Sequence, residues 1–181
     1  MVGTTLLQFP QVVILKQYIL LMKNKLSISQ PKKKLVWFGL ALMIVVADKL
    51  TKSMATAALT YAEPVAFLPY FNFTLLHNYG AAFSFLSDAG GWQRWFFTIF
   101  AVGVSVMLIV WLRKVRLKTE PILAIALALV LSGAVGNVID RIRYGHVVDF
   151  IDVYISNTIP HWPTFNVADS AITVGVVMLV W

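Results

Sequence analysis

The chain alternates between long apolar stretches and shorter polar segments. Apolar stretches run from Leu35 to about Ala58, from Trp92 to Leu112 and from Pro121 to about Val138. Each is close to the roughly 20 residues that a helix needs to cross a bilayer. A fourth begins at Val167, but only 12 residues follow Asp169, about 18 Å of helix, so we expect the natural protein to continue. The pattern predicts a mainly α polytopic membrane protein with four transmembrane helices.

The segment between the first two apolar stretches has a different pattern. Residues Thr60 to Gly91 contain two prolines and a Gly-Gly pair, so they do not form a spanning helix. The run FLPYFNFTLL, from Phe67 to Leu76, is rich in aromatic and β-favouring residues, and the HNYG after it is typical of a turn. We predict a small β-rich layer on the membrane surface. We expect His77 to be a hydrogen-bonded interfacial residue, because no second histidine stands at metal-ligand spacing.

Composition supports an integral membrane protein. Hydrophobic residues make up 59% of the 181 residues and charged residues only 13%, against roughly 25% charged in soluble domains. The absence of cysteine excludes disulfides, thiolate metal sites and a cysteine nucleophile. The net charge of +7 could indicate nucleic acid, but the basic residues lie in short runs beside apolar segments, where they set topology. We therefore expect membrane lipids, and no nucleic acid, as partners.

The basic residues predict how the chain is oriented. Three lysines precede the first helix, four basic residues lie between the second and third helices, and none lies between Ser53 and Gln93. The positive-inside rule then places both termini in the cytoplasm and the loops 60–91 and 141–166 outside. We divide the chain into a cytoplasmic N-terminal extension, residues 1–34, and a single membrane domain, residues 35–181. We hypothesise that Met22, which precedes KNKLSISQPKKK, is an alternative start site.

Unusual polar residues gather at the outer membrane level, where ionisable groups are costly and so persist mainly where they have a role. Asp48 and Lys52 are spaced i,i+4 on one helix face, as either a structural ion pair or part of a polar site. Gly133, Asn137 and Arg141 also share a helix face.

Two aspartates are the strongest candidates for catalysis. Asp149 lies between apolar neighbours, where desolvation disfavours its charged form, and Asp169 follows Asn166 at the head of the fourth helix, where a negative charge is favoured. Two carboxylates brought together share a proton, so that one can take a proton from water while the other donates to a carbonyl oxygen. The pattern leaves open an alternative in which Asp149 is a loop residue and Asp169 is a helix cap.

Five short motifs together resemble the lipoprotein signal peptidase (signal peptidase II) family over about Leu35 to Val180. They are DKLTK at 48–52, NYGAAFS at 78–84, GAVGNVIDR at 133–141, VDF at 148–150 and FNVAD at 165–169. The resemblance implies a four-helix inner-membrane aspartic endopeptidase that is sensitive to globomycin. Such an enzyme removes the signal peptide from a diacylglyceryl-modified prolipoprotein, cutting before the lipidated cysteine. The resemblance implies no metal or organic cofactor.

The resemblance also implies roles for individual residues. Asp149 and Asp169 match the catalytic pair, and Asp140 matches a structural position paired with a neighbouring cation. Supporting or lining residues match at seven further positions, namely Asp48, Lys52, Asn78, Gly133, Asn137, Arg141 and Asn166. We expect a monomer, with Asn78 to Ser87 as a lid over the bound peptide.

Other classes of protein make different predictions. A small transporter or channel subunit would place its carboxylates at mid-membrane, whereas here they cluster at one interface. A non-catalytic membrane adaptor would tolerate substitution of either Asp149 or Asp169. A presenilin-type protease would need a Gly-x-Gly-Asp signature, which the sequence lacks, and more helices than this length allows.

Overall fold

A computed structural model of the protein describes residues 17, 31–80, 91–116, 119–156 and 161–181, with the side chains of residues 31–34 left out. The predicted extension, residues 1–34, and the start site at Met22 fall almost entirely outside the described residues, as does the predicted lid beyond Gly80. The described elements run in the order α1 Pro31–Ala58, β1 Val65–Leu68, β2 Phe71–Asn78, α2 Trp92–Lys114, α3 Pro121–Tyr144, β3 Val147–Val153 and α4 Val167–Val180. The prediction of a mainly helical chain with a small β layer is confirmed.

Among the described residues, two helices are long and apolar enough to cross a membrane, judged by length and composition. They are α2 and α3, whereas α4 is apolar but shorter. On α2 large apolar side chains such as Ile99 and Val106 are exposed, as expected for a surface that faces lipid. Helix α1 carries Asp48, Lys49 and Lys52 near its end. Four membrane crossings therefore stay a prediction.

Helices α3 and α4 pack closely through small residues. A Cβ atom on Gly133 would lie 2.2 Å from the carbonyl oxygen of Ala168, and one on Gly175 would lie 2.8 Å from the carbonyl oxygen of Ala126. Only glycine fits at these contacts, and small residues of this kind allow helices to approach in lipid. The close approach holds the first turn of α4 against α3.

The apolar core lies at the other end of the helices. It joins α2 and α3 through Leu108, Leu112, Leu127 and Leu131, and α1 contributes Ala41. This core fixes α3 between its neighbours and leaves the polar end of α3 facing the sheet.

The sheet is antiparallel, in the order β1-β2-β3. We predicted one β-rich run over Phe67–Leu76, but the structure breaks it into a hairpin at Pro69 and Tyr70. Pro69 has no N–H for a ladder, and Tyr70 adopts a positive φ of 69°. Strand β3 was not predicted, because both of its faces are largely buried and VVDFIDV therefore lacks the simple alternation of a half-exposed strand.

Residues 161–166 run along β3 on the side away from β2. The amide of Trp162 donates to the carbonyl of Val153 (2.9 Å), and the amide of Phe165 donates to the carbonyl of Ile151 (3.0 Å). We call residues 161–166 the edge segment. It leads directly into α4, so it carries the chain from the sheet to the candidate site.

Candidate active site

The first turn of α4 is fixed by a capping box. Asn166 is the N-cap residue, and its Oδ1 accepts from the amide of Asp169 at 2.9 Å. In return, Oδ2 of Asp169 accepts from the amide of Asn166 at 3.3 Å. This reciprocal pair satisfies two otherwise unpaired helix donors and fixes the Asp169 carboxylate at the start of the helix.

The Asp149 carboxylate is buried in strand β3, with 2% of the residue exposed. Its Oδ1 accepts from Nδ2 of Asn166 at 2.6 Å, and its Oδ2 accepts from Nδ2 of Asn78 at 3.2 Å. The pairing of Leu76 with Asp149 and of Asn78 with Val147 across β2 and β3 places Asn78 beside this carboxylate. The structure thus places Asp149 in a strand, not in the loop that the sequence left open.

Asn137 on α3 connects the Asp169 carboxylate to Lys52. Its Nδ2 donates to Oδ1 of Asp169 at 2.7 Å, and its Oδ1 accepts from Nζ of Lys52 at 3.0 Å. Asn166 bonds to both aspartates, so the carboxylates of Asp149 and Asp169 belong to one hydrogen-bonded cluster.

Burial raises the pKa of Asp149 to about 7. The next cause is the negative charge of Asp169, while hydrogen bonds from Asn166 and Asn78 and the positive charge of Lys52 oppose the rise. A carboxyl group with a pKa near neutrality can hold or release a proton under working conditions, as acid–base catalysis requires.

A buried ionic cluster lies behind Asn137. Nζ of Lys52 is 3.0 Å from Oδ2 of Asp48 and 2.7 Å from Oδ2 of Asp140, and Lys49 also pairs with Asp140. Oδ1 of Asp48 accepts from the amide of Ala168 at 3.0 Å. The cluster therefore ties α1 and α3 to the first turn of α4, and it contains both the i,i+4 pair and the cation partner of Asp140. Sequence reasoning missed Lys49.

Arg141 lies one turn beyond Asn137 on α3. Its Nη2 donates to the carbonyl of Gly80 at 2.9 Å, and its guanidinium lies 5.8 Å from the centre of the Phe97 ring. Arg94 on α2 donates to the carbonyl oxygens of Arg141 and Ile142 at 2.8 and 2.9 Å. Arg94, which the sequence did not single out, thus caps the end of α3 that carries Arg141.

A cavity of about 770 Å³ opens onto the cluster. Its polar end is formed by Asn78, Asn137, Arg141 and Asp169, and its remaining wall is mostly apolar. That wall combines residues of α2, α3 and α4 with the first residue of β3 and the edge segment. They are Phe97, Phe100, Ala101, Val104, Val130, Ala134, Val147, Trp162, Pro163, Thr164, Phe165, Ser170, Ile172, Thr173 and Val174. The cavity can therefore hold an extended apolar group with its polar end beside Asp169.

All nine sequence-predicted site residues lie in or beside this region. Gly133 does not contact the carboxylates but allows α4 to approach α3. His77 stacks on His146 with ring centres 3.9 Å apart. Among the described residues there is no group of three metal-ligating side chains that could hold an ion.

Comparison with known proteins assigns the chain to a family. Residues 40–181 match the family model described as signal peptidase (SPase) II. The chain belongs to the signal peptidase II family. A lipoprotein signal peptidase of Acinetobacter baumannii is 56% identical over 145 residues, which are 80% of this chain and 81% of that protein. One from Hydrogenovibrio crunogenus is 52% identical over 157 residues, 87% of each.

The fold agrees with this membership. A bacterial membrane enzyme solved at 2.3 Å by the in meso method superimposes with a TM-score of 0.70 at 31% identity, over 80% of this chain and 85% of that one. Signal peptidase II proteins are hydrolases, so membership supports a protease over the transporter or channel subunit that the sequence also allowed.

Proposed function

We propose that this protein is a membrane aspartic endopeptidase that removes the signal peptide from diacylglyceryl-modified prolipoproteins, cutting before the lipidated cysteine. The observation that carries the proposal is the pair of carboxylates joined through Asn166, of which Asp169 lines the polar end of an apolar cavity. Family membership supports the processing of lipoprotein precursors.

In the proposed mechanism Asp149 and Asp169 share one proton and activate a water molecule. One carboxylate takes a proton from the water as its oxygen attacks the scissile carbonyl carbon, and the other donates a proton to the carbonyl oxygen. The first carboxylate then passes the proton from the water to the amide nitrogen as the peptide C–N bond breaks, and the other takes a proton back from one of the two hydroxyl groups on the former carbonyl carbon. The amine of the cysteine leaves, and the pair again holds one proton. The pKa of Asp149, raised to about 7 chiefly by burial, supports a pair that retains one proton near neutral pH. The titration belongs to the pair.

The other site residues have positioning roles in this proposal. Asn78, Asn137 and Asn166 orient the two carboxylates, and Lys52 and Asp48 support Asn137 and the first turn of α4. Arg141 lines the polar end of the cavity. Gly133 permits the contact between α3 and α4 that brings Asp169 to Asn137.

A site at the membrane surface suits a substrate that cannot leave the bilayer. We propose that residues 35–181 form a single peptidase domain with four spanning helices in the bacterial inner membrane. Both termini then lie in the cytoplasm, and the sheet and the site lie on the extracytoplasmic side. Exposed aromatic residues of the hairpin, such as Phe67 and Tyr70, suit the membrane interface. We propose that the enzyme acts as a monomer.

The test compares two precursors that differ only at the lipidated residue. Purified protein in liposomes receives a prolipoprotein with a diacylglyceryl cysteine, or the same precursor with serine in place of that cysteine and hence no lipid. We expect the lipidated precursor to be cut on the amino side of the cysteine, as read by mass spectrometry, and the serine form to remain whole. Equal cleavage of both precursors, or cleavage elsewhere, contradicts the proposal.

A further inference from the structure

A second buried carboxylate lies in β3, three residues beyond Asp149. Asp152 is 2% exposed. Its Oδ2 accepts from Oγ1 of Thr74 at 2.7 Å and from Nδ2 of Asn72 at 3.4 Å, both on β2. Its Oδ1 lies 2.7 Å from Nδ1 of His161. An ionised carboxylate only accepts, so Nδ1 of His161 is the donor when Asp152 carries its charge.

The two ends of this interaction differ in exposure. The side chain of Asp152 is 3% exposed and that of His161 is 41% exposed. The imidazole also stacks on the ring of Tyr154, with centres 4.7 Å apart and planes 12° from parallel. His161 is therefore held from two sides although it lies at the surface. Among the described ion pairs, the charge that His161 meets is that of Asp152.

His161 begins the edge segment, and Asn166 ends it. Between them, Trp162 and Phe165 pair with the backbone of β3, and residues 162–165 form part of the cavity wall. Asn166 then contacts both Asp149 and Asp169. The position of this segment along β3 therefore sets both the cavity wall and the residue that joins the carboxylates.

We propose that His161 is a positioning residue, which through its hydrogen bond to Asp152 fixes the edge segment on β3 and so places the cavity wall and Asn166. The side chain of Asp152 is held by residues of β2, and its bond to His161 reaches the edge segment on the other side of β3. This bond therefore holds the start of the segment, as the capping box at Asn166 holds its end. Its effect on catalysis rests on the proposed function, but its effect on the segment does not.

Three variants at position 161 separate the contributions of the side chain. His161→Ala removes both the donor and the ring. His161→Phe keeps a ring against Tyr154 without the donor. His161→Asn places an amide nitrogen close to where Nδ1 stands and restores the donor. Because the side chain is partly exposed, these changes leave the buried Asp152 and its β2 partners in place.

Hydrogen–deuterium exchange of the whole protein measures the segment directly. We expect the amides of Trp162 and Phe165 to exchange about tenfold faster in His161→Ala and His161→Phe, as the loss of a hydrogen bond to a charged group implies. They should exchange near the wild-type rate in His161→Asn. Peptides from α2 serve as the internal reference. Unchanged exchange in His161→Ala overturns the inference.

Kinetics with the lipidated precursor then test the link to the site. A displaced cavity wall should raise KM about fivefold or more in His161→Ala and His161→Phe, with recovery in His161→Asn, whereas a purely structural loss lowers the amount of active enzyme and leaves KM unchanged. Unchanged KM contradicts the positioning role. If the wild type fails to cut the precursor, the proposed function fails, and the exchange experiment still decides whether the pair holds the segment.

Discussion

Asp149 lies in an environment that disfavours the charged form of its carboxyl group. It is almost completely buried, and its pKa is raised to about 7 by that burial and by the charge of Asp169. Three asparagines surround the two carboxylates, and an amide can donate to a carboxylate without adding a charge. The arrangement keeps the pair oriented while allowing it to retain a proton, as a shared-proton mechanism needs.

The raised pKa predicts how stability depends on pH. The carboxyl group has a higher pKa in the folded protein than in the unfolded chain. Its contribution to the free energy of unfolding is complete at a pH below the unfolded pKa, and it is lost as the pH rises to the folded pKa. For Asp149 the window runs from the ordinary aspartate pKa of 3.8 to about 7, which corresponds to about 4 kcal/mol. Asp149→Asn cannot ionise, so it lacks this loss.

The measurement is the melting temperature of wild type and Asp149→Asn in the same detergent at several pH values. We expect the wild type to lose stability relative to the variant between about pH 4 and pH 7, by several °C in total, and the difference to level off above that. Hydrogen bonds lost in the variant shift the whole curve but not its slope. A difference that is constant with pH, or that changes in the opposite direction, would sink the assignment.

At the scale of elements, the site depends on how closely α4 approaches α3. Gly133 and Gly136 face the first turn of α4, and a Cβ atom on Gly136 would lie 2.8 Å from Oδ2 of Asp48 and 3.2 Å from Cβ of Ala168. The same contact supports the hydrogen bond from Asn137 to Asp169. Packing and site geometry are therefore coupled along one helix face.

A pair of glycine variants tests this coupling. In Gly133→Ala the new Cβ meets the backbone oxygen of Ala168 at 2.2 Å and Ile172 at 2.5 Å, so the helices must separate. We expect a loss of about 1–3 kcal/mol of stability and a marked loss of activity. Gly103→Ala, in the middle of α2, has nothing within 4 Å of the new Cβ and serves as the control. Equal effects of the two substitutions on melting temperature would contradict the coupling.

The sequence predicted these elements unevenly, for physical reasons. The apolar stretches predicted α2 and α3 to within a few residues at most ends, because burial in lipid imposes a long continuous pattern. Strand β3 was not predicted because burial of both faces removes the alternation of apolar and polar residues. The i,i+3 spacing of Asn166 and Asp169 is a recognisable capping signal. The contact between Asp152 and His161 depends on strand register, which a single sequence does not specify.

More of the site than of the sheet could be predicted, because polar side chains beside membrane-spanning helices cost free energy and are therefore rare. Charged and amide side chains beside apolar helices stand out in a sequence with 13% charged residues. The motifs that carried the family resemblance are those polar positions. Lys49 and Arg94 were missed because nothing in the sequence around them distinguishes them from other basic residues at helix ends. Their partners are seen only in the structure: Lys49 pairs with the buried Asp140, and Arg94 donates to carbonyl oxygens at the end of α3.

At the scale of the whole molecule, the proposed function depends on orientation in the membrane. The proposal places the loop around Glu63 outside and the connection between α2 and α3 in the cytoplasm. The chain contains no cysteine, so single cysteines can report on each side without background. Glu63 and Thr119 are both exposed and give a matched pair.

The measurement is labelling of Glu63→Cys and Thr119→Cys in intact spheroplasts with a membrane-impermeant maleimide. We expect Glu63→Cys to be labelled at once and Thr119→Cys only after the membrane is permeabilised. The reverse pattern, or labelling of both before permeabilisation, would contradict the proposed topology and with it the extracytoplasmic position of the site.

The central claim is that Asp149 and Asp169 act together on a peptide bond. The most direct test is a gel-shift processing assay in liposomes with the lipidated precursor, comparing wild type with Asp149→Asn and Asp169→Asn. Each variant keeps the size of the side chain and removes its ionisable carboxyl. Glu63→Gln makes the same chemical change at an exposed residue outside the cluster.

We expect Glu63→Gln to cut at the wild-type rate and both aspartate variants, shown to be folded by their melting curves, to lose activity by at least about 10²-fold. Near wild-type cleavage by either folded aspartate variant would contradict the dyad.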